Sequence, residues 1–177
     1  MSNFDFESLI IDIPDHPEPG VIFKDVTPLL ADAEGFAAVV DAIVNKFKDC
    51  GVTKVVGAEA RGFMVGAPVA RMLGAGFVPA RKPGKLPREV VRESYDLEYG
   101  SNELQIHEDA ICADDVVLLV DDLVATGGTA VAQVHLVEKL GAKLVGLAFL
   151  MELEFLNPRA AIAQATDVEV LSLVKVK

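Results

Sequence analysis

Five consecutive apolar residues, Val116 to Val120, run into two adjacent aspartates, Asp121 and Asp122, and then into Leu123–Val124–Ala125–Thr126–Gly127–Gly128–Thr129. An unbroken run of Val and Leu is the pattern of a strand buried on both faces. The acid pair is expected to end that strand, and a helical pattern begins at Ala130. A parallel strand that delivers a glycine turn into a helix N-terminus is a place to hold an anion. Glycine lets the backbone approach, successive N–H groups point inward, and the helix dipole favours negative charge. Thr126 and Thr129 add hydroxyl donors. Asp121 and Asp122 repel a phosphate, so they need sugar hydroxyls or a hydrated metal as partners.

An acid pair beside an anion cradle describes a ligand with hydroxyls next to a phosphate, and ribose 5-phosphate fits. Other readings of the glycines fail on spacing: the chain has no G-x-x-x-x-G-K-[ST] and no G-x-G-x-x-G after a strand. The stretch resembles the 5-phosphoribosyl diphosphate signature of the type I phosphoribosyltransferases. That resemblance implies that the acid pair engages the ribose 2′- and 3′-hydroxyls while Ala125, Thr126, Gly127, Gly128 and Thr129 surround the 5′-phosphate.

The 177 residues suffice for one domain with a substantial core, and 51% hydrophobic with 24% charged residues is a globular composition. The longest apolar run, Leu144 to Met151, is too short to cross a membrane. Residues 1–5 lack a signal-peptide pattern, and Cys50 and Cys112 form no metal or disulfide framework, so a cytoplasmic address is expected. A net charge of −11 argues against nucleic-acid or anionic membrane partners. Yet Arg81, Lys82, Lys85, Arg88 and Arg92 place five of the sixteen basic residues within twelve positions, opposed only by Glu89. In an acidic chain such a cluster suits a small polyanion.

Along the chain, Phe4, Phe6, Leu9 and Ile10 suggest a short amphipathic helix, and Pro14, Pro17 and Pro19 keep the next segment on the surface. Helical spacing runs from Phe36 to Phe47, closed by Gly51. Lys54–Ala58 and Gly76–Ala80 read as buried strands around a helix at 62–73. Residues 82–94 show no periodicity, and a hairpin is expected from Tyr95–Tyr99 and Glu103–His107 around Gly100–Ser101–Asn102. Val116–Val120, a helix at 127–140 and Leu144–Leu150 form a βαβ unit, and Val168–Val174 adds a last strand. The expectation is one α/β domain over 1–177, a doubly wound, mainly parallel sheet of the type I phosphoribosyltransferase kind. It carries an N-terminal hood at 1–34 and a flexible loop and hairpin at 82–108. Ligands bind such sheets at the carboxyl ends of the strands.

A second strand-to-helix turn, Ala58–Glu59–Ala60–Arg61–Gly62–Phe63, puts Arg61 where it can make a charge-assisted phosphate contact beside free amides. The resemblance implies that this loop, with Glu59, Ala60 and Arg61, receives pyrophosphate, and that a cis peptide falls at Glu59–Ala60. Three further stretches narrow it: Pro19–Gly20–Val21–Ile22–Phe23–Lys24–Asp25 with Thr27–Pro28–Leu29–Leu30, Arg81–Lys82–Pro83–Gly84–Lys85–Leu86–Pro87, and Tyr95–Asp96–Leu97–Glu98–Tyr99–Gly100. Together they resemble the adenine-using branch of the family.

The implied reaction joins adenine to 5-phosphoribosyl 1-diphosphate, giving AMP and pyrophosphate, in an enzyme that uses Mg²⁺ held through the substrate and is usually a homodimer. By the same resemblance, Phe23 stacks on adenine with the Ile22 and Lys24 backbones reading its edge, and Leu153 covers the other ring face. From the basic cluster, Lys82 and Lys85 are the candidates for the diphosphate, while the resemblance gives Glu98 and Tyr99 the proton handling and loop closure. After Glu152–Leu153 the chain departs from the family's Gly-Arg pair with Phe155–Leu156–Asn157–Pro158–Arg159, and Pro158 changes the local backbone there. The alternatives are a phosphoribosyltransferase for another purine and a nucleotide-sensing regulator on the same fold.

Overall fold

The computed structural model describes residues 4–96 and 101–177. Five parallel strands form the central sheet: β3 (Lys54–Ala58), β4 (Gly76–Ala80), β7 (Val116–Val124), β8 (Lys143–Leu153) and β9 (Glu169–Val176), in the order β4-β3-β7-β8-β9. Order therefore reverses between β3 and β7, where the loops leaving the two strands diverge to opposite faces and open a crevice. Helices α2 (Ala33–Phe47) and α3 (Arg61–Leu73) cover one face, while α4 (Gly128–Lys139) and α5 (Pro158–Ala165) cover the other.

Strand β7 shows why its sequence lacks alternation. Leu118 and Val120 enter the apolar layer with Val39, Ile43, Val65 and Val69, whereas Val117 and Leu119 enter the layer with Val134, Leu136 and Ile162. All four are essentially inaccessible to solvent. Asp32 starts α2 by accepting a hydrogen bond from the Gly35 amide at 2.7 Å, a side-chain cap on an otherwise orphaned donor.

Four expectations need correction. The acid pair does not end its strand: β7 continues to Val124, because β8 runs alongside and pairs Asp121 with Phe149, Leu123 with Met151 and Val124 with Glu152. At the N-terminus, the expected helix is a single 3-10 turn at Glu7–Leu9. The chain then forms β1 (Ile11–Pro14), paired antiparallel with β2 (Ile22–Asp25). One helical turn cannot recover its nucleation cost, whereas a strand partner satisfies the backbone. The aperiodic reading of 82–94 fails at its end, since β5 (Val90–Asp96) pairs along its whole length with β6 (Ser101–His107). Ser101 and Asn102 therefore lie in a strand, and the connection falls at 97–100. Finally, α5 was not expected: Pro158 occupies its first turn and Ile162 is its one deeply buried apolar side chain, too sparse a pattern to read.

The β1–β2 hairpin forms a two-stranded sheet separate from the central one. A short helix, α1 (Thr27–Ala31), links it to α2 and buries Leu29. The β5–β6 hairpin packs across α4, with Leu104 and Ile106 entering the same apolar layer as Val134 and Leu136.

Candidate active site

A cleft of about 320 Å³ opens at the strand-order reversal. Its walls are the β3–α3 loop (Ala58, Glu59, Ala60, Arg61), the end of β7 (Asp121 to Val124), the β7–α4 loop (Ala125 to Thr129), and Lys82, Tyr95, Asn102, Leu104 and Phe149. Two strand ends that sequence spacing leaves sixty residues apart thus share one cavity.

The β7–α4 loop is built as an anion cradle. Gly127 has φ +93°, in the left-handed region that disfavours side chains, and it leads directly into α4. The Val131 amide donates to the Gly127 carbonyl at 2.9 Å, so the amides of Gly128, Thr129 and Ala130 precede the helical ladder. Those amides, the dipole of α4 and the two threonine hydroxyls converge on one wall.

The acid pair lines the same cleft. Asp121 and Asp122 are only 8% and 5% exposed, which is costly for carboxylates without partners. Arg61 Nε lies 2.8 Å from Asp122 Oδ2. Burial, followed by the charge of Asp122, pushes the Asp121 carboxyl well above the usual aspartate range, with the more distant Arg61 opposing. Close approach of α3 to β7 depends on Gly62, where a Cβ would fall 2.7 Å from Asp121 Oδ1. The Glu59–Ala60 peptide is cis, as the resemblance implied. Glu59 pairs with Arg81, Oε2 to Nε at 2.7 Å, tying the β3–α3 loop to the end of β4.

Several expected residues lie outside this cleft. Phe23 is half-buried on the hood, with the Arg61 guanidinium 5.9 Å from its ring centroid and His16 edge-on at 5.2 Å. Ile22 beside it is exposed, and Lys24 pairs with its cross-strand neighbour Asp12 at 2.6 Å. Leu153 packs into the α2–α3 layer with Leu123. The basic cluster is dispersed: Lys82 lines the cleft, Arg81 holds Glu59, Arg88 pairs with Asp109, and Lys85 and Arg92 face solvent. Glu98 and Tyr99 lie outside the described residues.

Sequence reasoning missed Tyr95, Asn102, Leu104 and Phe149 as wall residues. Tyr95 belonged to a recognised stretch, but only the fold-back of the hairpin over α4 brings it and Asn102 to the cleft. The Asn157–Pro158 departure lies beside the β7–α4 loop. Pro158 opens α5, whose carbonyl at that residue would stand 3.0 Å from a Cβ on Gly127, so this segment backs the anion cradle.

Fold and cleft define a phosphoribosyltransferase, and the model of the phosphoribosyl transferase domain matches residues 26–174. An adenine phosphoribosyltransferase of Myxococcus xanthus is 57% identical over 153 residues, 86% of this chain and 83% of the relative. Among solved structures, the adenine phosphoribosyltransferase of Thermoanaerobacter pseudethanolicus superposes with a TM-score of 0.90 at 44% identity, covering 96% of this chain and 97% of that one. The enzyme of Giardia lamblia complexed with 9-deazaadenine gives 0.91 at 38% identity, covering 98% and 97%. The chain belongs to the adenine phosphoribosyltransferase family.

Proposed function

We propose a division of labour among these residues for a purine salvage reaction in which adenine and 5-phosphoribosyl 1-diphosphate give AMP and pyrophosphate. The observation that carries it is the buried acid pair lining one cleft together with the glycine turn that leads into α4. Asp121 and Asp122 hold the ribose 2′- and 3′-hydroxyls, and residues 125–129 hold the 5′-phosphate. Arg61 and the amides of the β3–α3 loop take the pyrophosphate, helped by Lys82 and, on loop closure, Lys85.

The hood supplies the base site. Phe23 stacks on adenine, a contact worth ~1–3 kcal/mol, while the backbones of Ile22 and Lys24 read the amino and ring-nitrogen edge and Leu153 closes the far side. The proximity of Phe23 to Arg61 supports this, since a base stacked on Phe23 would lie near the loop assigned to the pyrophosphate. A 6-oxo purine presents the reversed donor and acceptor pattern and is rejected. Glu98 and Tyr99 assist loss of the N9 proton as N9 bonds to C1′, and loop closure keeps water from the activated sugar.

Mg²⁺ suits this site. Its preferred ligands are hard oxygens, and the cleft offers two buried carboxylates, one of them with a raised proton affinity. Among the described residues, no group of three or more His, Cys, Asp or Glu forms a protein cage for a metal. Asp121 and Asp122 would hold it jointly with the substrate's diphosphate and ribose oxygens. When bound it supplies neutralisation of the leaving group's charge. The proposal includes a homodimer and a cytoplasmic address. Exposed Ile11, Ile13, Val21 and Ile22 support a second copy as neighbour, and the free thiols of Cys50 and Cys112 support a reducing compartment. No helix among the described residues is long and apolar enough to cross a membrane.

Pyrophosphate release, measured with adenine, hypoxanthine, guanine and xanthine, tests the reading. Adenine alone should support turnover. Release with an oxopurine instead would reassign the base, and none with any base would point to a nucleotide-sensing regulator.

A further inference from the structure

The C-terminal end of β8 carries a buried carboxylate that the reaction does not use. Glu152 is 1% exposed, and Arg159, in the first turn of α5, grips it with both prongs: Nε to Oε1 and Nη2 to Oε2, each at 2.8 Å. The third guanidinium nitrogen, Nη1, donates to the Val170 carbonyl on β9 at 3.3 Å. A planar fork against a planar carboxylate fixes orientation as well as distance. Burial acts to raise the Glu152 carboxyl, but the hydrogen bonds and charge of Arg159 more than offset it and hold the group below its ordinary range.

Each member of this pair belongs to an element that borders the anion cradle. Glu152 is in register with Val124, the residue that precedes Ala125 and the cradle. On the other side, α5 presses on Gly127, where a Cβ would meet the Pro158 carbonyl at 3.0 Å and Ala161 Cβ at 3.1 Å. The cradle is thus clasped between the end of the sheet and the start of α5, and the ion pair joins the two jaws.

We infer that Glu152 and Arg159 are a positioning pair for the 5′-phosphate loop, setting its seat without touching the ligand. This rests on the assignment of residues 125–129 to the 5′-phosphate. That phosphate does not react, so its contacts hold substrate and transition state alike. Disturbing them raises KM and leaves kcat almost unchanged.

Steady-state kinetics of Arg159→Met and Arg159→Lys test the inference, with Thr126→Ala and Thr129→Ala as references. Arg159→Met should raise the KM for 5-phosphoribosyl 1-diphosphate roughly tenfold, since displacements of about 1 Å in a positioned site have effects of that order or more. Arg159→Lys, which keeps the charge but not the fork, should fall in between. The adenine KM should stay constant and kcat should change by less than about twofold. A pair that merely stabilises the fold would instead lower apparent kcat through loss of folded enzyme at unchanged KM, and that result overturns the inference. Should Arg159→Met not fold, calorimetric titration of Arg159→Lys with ribose 5-phosphate decides, with undiminished affinity counting against positioning. If the threonine variants raise KM and the Arg159 variants do not, positioning alone fails. Should neither threonine variant alter it, the assignment of the loop itself fails.

Discussion

Arg61 Nε lies 2.8 Å from Asp122 Oδ2, an ion pair that joins the loop after β3 to the end of β7 across the reversal in strand order. A single contact thereby links the proposed pyrophosphate site to the proposed ribose site. Asp122→Asn with Asp121→Asn should cripple use of 5-phosphoribosyl 1-diphosphate, each lost charge-assisted bond being worth ~1.5–3 kcal/mol, or roughly 10- to 150-fold. Adenine affinity should change far less. Steady-state kinetics of the double variant, with each substrate varied, check this, and an unchanged phosphoribosyl dependence would remove the acid pair from the site.

Asp121 also predicts a trade between stability and activity. Its folded pKa is raised, so the protonated form stabilises the fold, and that contribution is lost as pH rises through the folded value. At neutral pH the ionised group is a cost to the free enzyme. Asp121→Asn should therefore have a higher Tm than the parent at pH 7–8 while losing activity, and its advantage should shrink as pH falls into the acid range. Thermal melts across pH, without ligand, give the answer; a lower Tm at neutral pH would contradict the burial argument.

Glu93 on β5 clasps two residues of α4, Lys139 Nζ at 2.5 Å and His135 Nδ1 at 3.0 Å. The Lys139 hydrogen bond chiefly, with help from His135 and against a smaller burial cost, lowers its pKa. A depressed carboxylate contributes stability above its unfolded pKa and loses it as pH falls through the folded one. Glu93→Gln should cost about 1 kcal/mol at pH 7, and the deficit should shrink as pH falls through the folded pKa, which lies below the ordinary glutamate range. Denaturant titrations at several pH values measure it. Amide exchange in β5 should quicken in the variant if the clasp holds the hairpin to α4.

The paired span of β5 sharpens a proteolysis experiment. Lys85 lies in the connection between β4 and β5 and Arg88 just before β5, whereas Arg92 sits within that strand, opposite Gln105. Trypsin should cut the free enzyme after Lys85 and Arg88, spare Arg92, and slow at the first two sites by an order of magnitude when Mg²⁺, 5-phosphoribosyl 1-diphosphate and an unreactive adenine analogue are all present. Timed digests read by mass spectrometry distinguish the sites. Equal rates with and without ligands would make residues 82–89 a solvated surface segment with no part in closure.

Much of the site could be read directly, because its chemistry is local. Asp121, Asp122 and the five residues from Ala125 to Thr129 fall within nine consecutive positions, and Glu59, Ala60 and Arg61 are contiguous, each group lying where a strand leads into a helix. Lys85 was read by composition, and a cluster of like charges says nothing about which members already have partners. Arg81 and Arg88 were in the same cluster, yet they bind Glu59 and Asp109.

By itself the sequence determined what neighbouring residues decide: the buried strands, whose apolar runs need two covered faces, the glycine turns, and the helices that follow them. Tertiary structure decided what depends on partners far away along the chain. Strand β7 runs on through two aspartates only because β8 offers it backbone partners as far as Glu152. Tyr95 and Asn102 reach the cleft because their hairpin lies across α4. Arg159 matters because α5 closes on Gly127 and brings the guanidinium to a carboxylate buried at the end of another element. Hydrogen-bond pairing, close packing and desolvation of charge act through space, and their outcome is fixed only when the chain has folded.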